Sequence, residues 1–289
     1  IDENLYFGAD DGVHGYELWR ASPAGAEMVV DVSPGSVSGL GGPLCAIGAR
    51  MFFAGNDGQS GAELWVTTGT SASTSRIVDL RPGLGSSSPR ALTNVSGALY
   101  FFADAVGAST LELWRSDGTA SGTVMVRDFA SGPQLGVLRM VALGRIALFL
   151  AGPTTAYELW RSDGIAAGTF KLADLGAGVF GVPPDLAVWN GRAWFEADDG
   201  VYGRELWVTD GTLPGTALFA DIAAGAAGSD IEVLTAGVDR LWFFAVDARG
   251  VAAWCSDGTL AGTQRLIDLA PYPFLLSSLW SIVPTGTRR

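Results

Sequence analysis

The chain has 289 residues and carries 18 Lys and Arg against 30 Asp and Glu, which leaves a net charge of −12 at pH 7. Binding to nucleic acid or to an anionic lipid surface needs clustered basic side chains, and Lys171 is the only lysine, so the charge argues against both as partners. No run of 18 apolar residues is present, so no membrane span is predicted. The 40 Gly and 13 Pro, with 17% charged residues, favour short strands and tight turns over helices.

A phrase close to Glu-Leu-Trp, followed by a Ser/Thr-Asp-Gly-Thr turn, recurs six times along the chain. Successive copies of its tryptophan lie 46 to 49 residues apart. Self-similarity at a fixed period in this range indicates an array of one repeated supersecondary unit. The six tryptophans of the repeat are Trp19, Trp65, Trp114, Trp160, Trp207 and Trp254.

Each repeat contains four short apolar runs separated by residues that favour turns. In the third repeat these runs cover 91–95, 98–103, 111–116 and 124–129. Short runs rich in aromatic and β-branched residues, bounded by Gly, Asp and Ser, are typical of strands in an antiparallel meander. The second run is apolar throughout in nearly every repeat, which indicates strands that are covered on both faces.

These features predict an all-β fold, a six-bladed β-propeller of four-stranded antiparallel blades. A linear solenoid is the alternative, but it needs atypical polar repeats at both ends. The chain begins at ENLYFGAD, which matches the second strand of a unit, and residues 277–286 match a first strand. We therefore expect residues 1–289 to form a single domain, with the first blade completed by the strand at about 277–286. A blade shared in this way between the N- and C-termini closes the ring and removes open sheet edges.

The side chains that repeat in every unit are expected to serve the architecture. The tryptophan most simply packs between adjacent blades, and an exposed aromatic platform for sugars is the alternative at any single blade. The glutamate before Leu-Trp is expected to accept backbone N–H bonds from a neighbouring loop, because a buried carboxylate needs donors. This glutamate is present in five repeats, as Glu17, Glu63, Glu112, Glu158 and Glu205, and Ala252 replaces it in the sixth.

Two sets of aspartates also repeat. One set belongs to the turn between the third and fourth strands, where Asp bonds the backbone and Gly adopts a positive φ. The other set ends the fourth strand, where capping of the connecting loop is expected and a ring of ion ligands is the alternative. The turn residues are Asp117, Asp163, Asp210 and Asp257, and the strand-end residues are Asp31, Asp79, Asp128, Asp174, Asp221 and Asp268.

The loops between the second and third strands differ among the repeats and are the expected ligand-binding loops. In a propeller they share one face with the links between blades, so their aspartates are expected to cluster there. The leading interpretation of these aspartates is Asp-Gly turns that keep the loops solvated, because the loops lack the regular D-x-D-x-D spacing. The alternative is a Ca²⁺ site, since clustered carboxylates suit Ca²⁺, and its predicted metal ligands are Asp10, Asp11, Asp198 and Asp199. The predicted ligand-face residues are Asp10, Asp11, His14, Asp57, Asp198, Asp199 and Tyr202.

No catalytic constellation is evident, and no catalytic residue is predicted. His14 is the only histidine, which excludes a metal site with several histidine ligands, and no Gly-x-Ser-x-Gly elbow supports a Ser-His-Asp triad. Cys45 and Cys255 lie in different, non-neighbouring repeats and are not expected to pair. A carboxylate pair for glycoside hydrolysis stays open, because nothing selects one pair among the 30 acidic residues.

The repeat resembles that of the ELWxxDGT-repeat family of bacterial proteins, which reads approximately FxADDGxxGxELWxxDGTxxGTxxVxDI. Residues 197–222, ADDGVYGRELWVTDGTLPGTALFADI, match it almost letter for letter, and the resemblance extends over all six units. It implies a propeller-like domain of secreted or cell-surface proteins, largely without an assigned activity, and it brings no catalytic residues. The first repeat departs from it at ASPAG, the second at Thr68, and the sixth lacks both the Glu and the ADDG.

We therefore expect a non-enzymatic bacterial binding module, secreted, periplasmic or on the cell surface, that presents an acidic loop face to a protein or glycan partner. One alternative is a Ca²⁺-dependent hydrolase or lyase of the six-bladed type. Another is a purely structural platform in a larger surface assembly. The sequence predicts neither the ligand nor the oligomeric state.

Overall fold

The computed structural model describes residues 4–107, 111–129, 139–152, 156–176 and 185–269. These residues form 23 β-strands and two short 3-10 helices, so the predicted all-β class is confirmed. The strands follow one another in six antiparallel sheets, of which five have four strands and one has three.

Every sheet is built from strands that are consecutive in the chain. The first sheet contains β1 (Leu5–Asp10), β2 (Tyr16–Ser22) and β3 (Gly25–Val30), and the second contains β4 (Leu40–Ile47), β5 (Arg50–Asn56), β6 (Ala62–Thr67) and β7 (Ser75–Val78). The third contains β8 (Arg90–Val95), β9 (Ala98–Ala103), β10 (Glu112–Ser116) and β11 (Val124–Asp128). The fourth contains β12 (Arg139–Leu143), β13 (Ile146–Ala151), β14 (Tyr157–Ser162) and β15 (Phe170–Gly176). The fifth contains β16 (Leu186–Trp189), β17 (Arg192–Asp198), β18 (Arg204–Thr209) and β19 (Ala217–Ala220). The sixth contains β20 (Glu232–Ala236), β21 (Leu241–Asp247), β22 (Gly250–Ser256) and β23 (Gln264–Asp268), and the 3-10 helices are Ser71–Ser73 and Ala166–Gly168.

The strands predicted for the third repeat agree with β8 to β11, with β9 at the predicted bounds and the others within about one residue, the usual disagreement at strand ends. The first sheet has three described strands. The strand predicted at 277–286 lies outside the described residues. The closed ring, the count of six blades and the single domain therefore stay predictions.

The chain divides into two compact units. The first comprises Ile1–Arg145 and Asp163–Thr169, and the second comprises Ile146–Ser162 and Phe170–Arg289. Each unit contains sheets that pack face to face through apolar side chains, and this packing removes apolar surface from water, which is the main stabilising term of a fold.

In the first unit, one cluster joins the first and second sheets and another joins the second and third. The first cluster is formed by Leu18, Val29, Val32, Leu40, Met51 and Phe53. The second is formed by Cys45, Ile47, Phe52, Leu64, Leu99, Phe101 and Ala103. In the second unit, a cluster that includes Trp194, Leu206, Ile231, Leu234, Leu241 and Phe243 joins the fifth and sixth sheets. The second strands are covered on both faces in the second and third sheets, as their continuous apolarity indicates.

The repeat tryptophans follow a bulge that falls at the same step in all six described sheets. The pairing of the third strand with the fourth shifts register between the tryptophan and the residue before it, for example between Leu113 and Trp114. On its other side, each tryptophan pairs with a phenylalanine of the second strand. The rings of Phe101 and Trp114 stack with centroids 6.5 Å apart. Trp65, Trp114 and Trp254 pack against the clusters that join neighbouring sheets.

The turn between the third and fourth strands is a compact hydrogen-bonded unit, as the Asp-Gly-Thr pattern predicts. In the fifth sheet, Asp210 Oδ1 accepts bonds from Thr212 N and Thr212 Oγ1 at 2.9 and 2.7 Å. Thr216 Oγ1 donates to Thr212 O at 2.7 Å. Gly211 adopts a φ of 88°, which favours glycine. The same pattern recurs around Asp117 and Asp257.

Candidate functional site

In each sheet, the connections that follow the second and the fourth strands lie on the same side, where these strands end, because the strands are antiparallel and in meander order. This is a row of strand ends and not an edge strand. We call this side the loop edge. In the first unit it contains loops 11–15 and 57–61 and links 31–39 and 79–89. In the second unit it contains loop 199–203 and link 221–231. All the predicted ligand-face residues lie at the loop edge of their own sheet.

The first loop is held together by its two aspartates. Asp10 Oδ1 accepts the N–H of Gly12 at 2.7 Å, and Asp11 Oδ1 accepts those of Val13 and His14 at 2.9 Å each. Asp11 Oδ2 lies 2.7 Å from His14 Nδ1. The backbone and side-chain bonds from His14, with that from Val13, lower the pKa of Asp11 to about 2. The side-chain bond to Asp11 raises the pKa of His14.

The loop of the fifth sheet repeats this geometry with other side chains. Asp198 Oδ1 accepts the N–H of Gly200 at 2.8 Å, and Asp199 Oδ1 accepts those of Val201 and Tyr202 at 2.8 and 3.0 Å. The bonds from Tyr202 and Val201 lower the pKa of Asp199. The two loops are therefore built alike, and Tyr202 stands where the first loop has His14.

Asp57 organises the loop of the second sheet in the same way. Its Oδ1 accepts the N–H groups of Gln59 and Ser60 at 2.9 Å each and the Ser60 hydroxyl at 2.8 Å. Burial opposes its ionisation, but these bonds outweigh burial and lower the pKa of Asp57. Asp57 thus fixes the conformation of its own loop, the role expected of Asp in an Asx turn.

The loops fixed in this way present apolar and aromatic side chains to solvent. Val13 and Val201 occupy the same loop position, and they are 63% and 62% exposed. The next position carries the partly exposed His14 in the first loop and the exposed Tyr202 in the fifth. On the adjacent link of the second sheet, Leu84 is 81% exposed. The loop edge therefore combines a rigid backbone with exposed apolar groups.

Each loop also packs against the link that leads to the next sheet. In the first sheet, Tyr16 N donates to Ser38 Oγ at 3.0 Å. Gly15 adopts a φ of 72°, and the backbone of the link occupies the place where a side chain would stand. The same close approach recurs at Gly61 in the second sheet and at Gly203 in the fifth. Loop and link thus form one continuous surface in these three sheets.

Buried glutamates of the Glu-Leu-Trp motif hold the links in place by accepting hydrogen bonds from them. Glu63 accepts the N–H of Leu80 at 3.0 Å and, from Ser87, the N–H at 2.9 Å and the hydroxyl at 2.6 Å. Glu205 accepts the first two N–H groups that follow the aspartate in link 221–231. Burial raises the pKa of both carboxyls, while these bonds act in the opposite direction. This is the backbone-capping role predicted from the motif.

Glu158 differs from these glutamates. It accepts bonds from Trp160 Nε1 at 2.8 Å and from Lys171 Nζ at 3.1 Å. Lys171 also donates to Asp174 at 2.7 Å, and these two carboxylates raise its pKa. The expected backbone-capping role is therefore replaced by side-chain partners in this repeat, because a lysine lies opposite the tryptophan in β15.

The aspartates that end the fourth strands are not equivalent either. In the second, fourth and sixth repeats the aspartate pairs with a basic residue three positions earlier, and the first, third and fifth repeats have Met28, Met125 and Leu218 there. The pairs are Arg76–Asp79 at 3.2 Å, Lys171–Asp174 at 2.7 Å, and Arg265–Asp268. This alternation argues against a ring of six equivalent ion ligands.

Calcium binding by the loop aspartates stays a prediction. Asp10 and Asp11 belong to the first unit, and Asp198 and Asp199 to the second. Among the described residues, no group of three or more His, Cys, Asp or Glu is placed so that it could hold a metal ion. At least one oxygen of each of the four carboxylates already accepts hydrogen bonds from its own loop.

A buried ion pair in the second unit was missed by the sequence reasoning. Glu196 of β17 pairs with Arg204 of β18, and only 2% of the Glu196 side chain and 15% of the Arg204 side chain are exposed. Glu196 Oε1 accepts the N–H of Ile231 at 2.8 Å. Arg204 Nε lies 3.7 Å from Asp230 Oδ1.

An alignment of the repeats on their own strand pairing gives the signal that could have found this pair. Glu196 lies opposite the leucine of Glu-Leu-Trp. At the corresponding position the other repeats have Gly8, Ala54, Phe102, Leu150 and Phe244. A carboxylate at a repeat position that otherwise carries a small or apolar residue departs from the pattern of the fold, and such departures tend to mark functional sites.

The surroundings of Glu196 are acidic. Burial raises its pKa to about 7, although Arg204 and the N–H of Ile231 favour the ionised form. Burial also raises the pKa of Asp230 against the effect of Arg204. Burial and the charges of Asp185 and Asp230 raise the pKa of Glu232.

Solved structures share the fold of this chain at low sequence identity. A structure from a study of two prolyl endopeptidases matches 93% of this chain and 42% of its own length, with a TM-score of 0.58 and 12% identity. Oligopeptidase B from Leishmania major matches 93% of this chain and 41% of its own, with a TM-score of 0.54 and 13% identity. The β-propeller domain of the Trilobed protease from Pyrococcus furiosus covers 94% of this chain and 80% of its own, with a TM-score of 0.47 and 10% identity.

The chain thus spans about two fifths of the length of the two peptidases, at 42% and 41%, and identities this low show the fold alone. No family model matches the chain, and no curated protein matches it. Successive antiparallel meanders with a repeat of 46 to 49 residues are the architecture of β-propeller-type repeat proteins. In the described part of the chain, no helix has the length and apolar character needed to cross a membrane.

Proposed function

We propose that this protein is a non-enzymatic binding module that presents its loop edge to a protein or glycan partner. The observation that carries the proposal is the matched exposure of Val13 and Val201, 63% and 62%, on loops fixed by their own aspartates. Exposed apolar and aromatic groups on a rigid backbone lose little conformational entropy on binding, which favours recognition. The acidic charge around them disfavours polyanionic partners.

The resemblance to the ELWxxDGT-repeat family supports the remainder of this proposal. On that resemblance, the protein acts outside the bacterial cytoplasm, in the periplasm, at the cell surface or after secretion. Presentation of one face by a rigid repeat domain suits such a position, because rigid scaffolds with variable loops are the usual arrangement for recognition.

A pair of edge-specific variants tests the binding proposal. Labelled protein is applied to an array of glycans and to an array of bacterial surface proteins, as wild type and as Val13→Asp with Val201→Asp. The matched control is Leu213→Asp with Leu260→Asp, since these leucines are 57% and 66% exposed in turns at the opposite edge. We expect the loop-edge variant to weaken binding about tenfold or more, equivalent to about 1.4 kcal/mol, and the control to bind as wild type. Binding lost only in the control, no binding on either array, or turnover of an arrayed compound would contradict the proposal.

We also propose that the fold is a six-bladed ring closed by residues 277–286 as the missing strand of the first sheet. The support is β1, whose residues are partly or fully exposed, whereas the equivalent strands β5 and β9 are largely buried. The segment SSLWSIVPTG at 277–286 has the pattern of a first strand. Among the described strands β1 is the edge strand of its sheet, and pairing with this segment would cover that edge.

A truncation series tests this closure. Removal of residues 277–289 is expected to lower the midpoint of thermal unfolding and to expose the first sheet to proteolysis. Removal of residues 287–289 alone, which leaves the proposed strand intact, is the matched control. Equal midpoints for the full chain and the longer truncation would refute the closed ring without affecting the proposed binding at the loop edge.

A further inference from the structure

We propose that Glu196 and Arg204 form a proton-dependent latch that holds segment 229–232, at the start of the sixth sheet, against the fifth sheet. This inference concerns the second unit alone and does not rest on the proposed binding function. It stands on the position of the pair between two sheets and on the bonds that segment 229–232 makes to it.

The segment is anchored to the fifth sheet by a short series of hydrogen bonds. Ser229 N donates to Arg204 O at 2.7 Å, and Ile231 N donates to Glu196 Oε1 at 2.8 Å. Three residues further on, the backbone N of Leu234 donates to Asp185 Oδ2 at 3.0 Å. Side-chain carboxylates of one sheet therefore bind backbone donors of the next.

The backbone of the anchored segment is strained. Asp230 and Val233 have φ values of 43° and 56°, a region that non-glycine residues rarely adopt and that is least favourable for a β-branched residue. Strained backbone persists only where surrounding contacts hold it. Each strained residue is followed directly by a bonded amide, Ile231 after Asp230 and Leu234 after Val233, so any change in these bonds is expected to alter the order of the segment.

The charges that face Glu196 explain why protonation of its carboxyl is favoured. From the fifth sheet, Arg204 provides one positive charge, and Asp185 lies at the start of β16. From segment 229–232, Asp230 provides a second carboxylate that acts on Glu196, and Glu232 is in turn influenced by Asp185 and Asp230. With Glu196 ionised, the two carboxylates Glu196 and Asp230 share the Arg204 guanidinium in a buried site, where ionisation is disfavoured. With Glu196 protonated, its oxygen still accepts the N–H of Ile231, and Arg204 still faces Asp230.

The raised pKa of Glu196 sets the direction in which pH changes the free energy of unfolding. The pKa of Glu196 is raised from 4.5 to about 7 in the folded protein. The folded state therefore binds this proton more tightly than the unfolded state, so the free energy of unfolding falls as pH rises between these two values and levels off above them. The ratio of the two acid constants, about 300-fold, is the largest change in the unfolding equilibrium constant that Glu196 can produce.

Hydrogen exchange of the Ile231 amide at pH 5.5 and pH 8.5, corrected for intrinsic exchange, tests the latch. We expect protection in the wild type to fall about tenfold or more at the higher pH, within the limit set by the acid constants. In Glu196→Gln the protection should be equal at the two pH values. The matched control for charge removal is Glu27→Gln, whose side chain is 62% exposed in the first sheet, and it should behave as wild type.

A second variant keeps the test decisive if Glu196→Gln fails to fold. Glu196→Phe with Arg204→Leu installs the pair that the third repeat carries at the same positions, Phe102 and Leu111. We expect this variant to fold and to lose the pH dependence of Ile231 protection. Equal pH dependence in wild type and both variants, or a Glu196 carboxyl that titrates near 4.5 by carbon-detected NMR, would overturn the proposal.

Discussion

Glu17 Oε1 accepts the backbone N–H of Gly39 at 2.6 Å, across 22 residues of sequence. Its second oxygen accepts the N–H of Val32 at 3.0 Å. Gly39 has no side chain, and a Cβ there would collide with the carboxylate. The glutamate of the motif thus joins its own strand to both ends of the link that leads to the next sheet.

The sixth repeat shows what replaces this contact when the glutamate is missing. Ala252 stands in its position. There the N–H of Leu269 donates to the backbone carbonyl of Val251 at 3.0 Å. Backbone atoms can therefore satisfy the first donor after the fourth strand, as they also do in the third repeat, where Phe129 N donates to the carbonyl of Leu111 at 3.2 Å.

Replacement of Glu63 by alanine should be strongly destabilising. Its carboxylate accepts three bonds from Leu80 and Ser87 in the buried part of the second sheet. Each buried donor left without a partner costs about 1–3 kcal/mol, so from the two buried donors of Ser87 we expect a loss of about 2–6 kcal/mol in the free energy of unfolding by urea titration. Glu27→Ala, at an exposed carboxylate, is the control and should change stability little. A loss of equal size in both variants would contradict the anchoring role.

The repeat made much of the fold predictable. The bounds of β9 agree with the prediction because an apolar run flanked by Ser-Gly and Asp is a local signal. The bulge before each tryptophan was not predictable, because register depends on which backbone groups meet across two strands. Glu196 was not predicted for a related reason. It is unusual only by comparison with the residues at the same strand-pairing position in the other five repeats, which are small or apolar.

Titration of Asp11 should reveal the hydrogen bonds that hold the first loop. We expect a pKa of about 2 by carbon-detected NMR. Because this pKa lies below the ordinary value of 3.8, the bonds stabilise the loop above that pH and are lost as pH falls toward 2. In His14→Gln, which removes the imidazole partner, the pKa of Asp11 should rise toward 3.8.

The loop of the fifth sheet provides the internal control for this titration. The pKa of Asp199 is lowered by the backbone N–H groups of Tyr202 and Val201, without a histidine. His14→Gln should therefore leave the titration of Asp199 unchanged. A shift of both aspartates would indicate a general change in the protein and would count against the local account of the Asp11 pKa.

Addition of Ca²⁺ should leave thermal unfolding unchanged. Asp10, Asp11, Asp198 and Asp199 each accept a hydrogen bond from their own loop, which favours the turn-forming interpretation over the metal site. A ligand that binds the native state and is present at 100 times its dissociation constant would add about 2.7 kcal/mol of stability. We expect no change in the unfolding midpoint when Ca²⁺ is added or when it is removed with EDTA. A midpoint that rises with Ca²⁺ and falls with EDTA would instead establish the predicted metal site, and the Asp10→Asn variant would then be expected to lose the effect.

The second glycine of the Asp-Gly-Thr-x-x-Gly-Thr turn should be required only where the aspartate is present, because the aspartate carboxylate fills the space that a side chain would need. A Cβ at Gly215 would collide with the Asp210 carboxylate. The second repeat, which has Thr68 in place of this aspartate, has Ser73 in place of this glycine. We expect Gly215→Ser to cost about 1–3 kcal/mol through overpacking, and Asp210→Thr in the same chain to recover part of that loss. Urea unfolding of the two single variants and the double variant measures the coupling, and strictly additive effects would show that the glycine is needed for another reason.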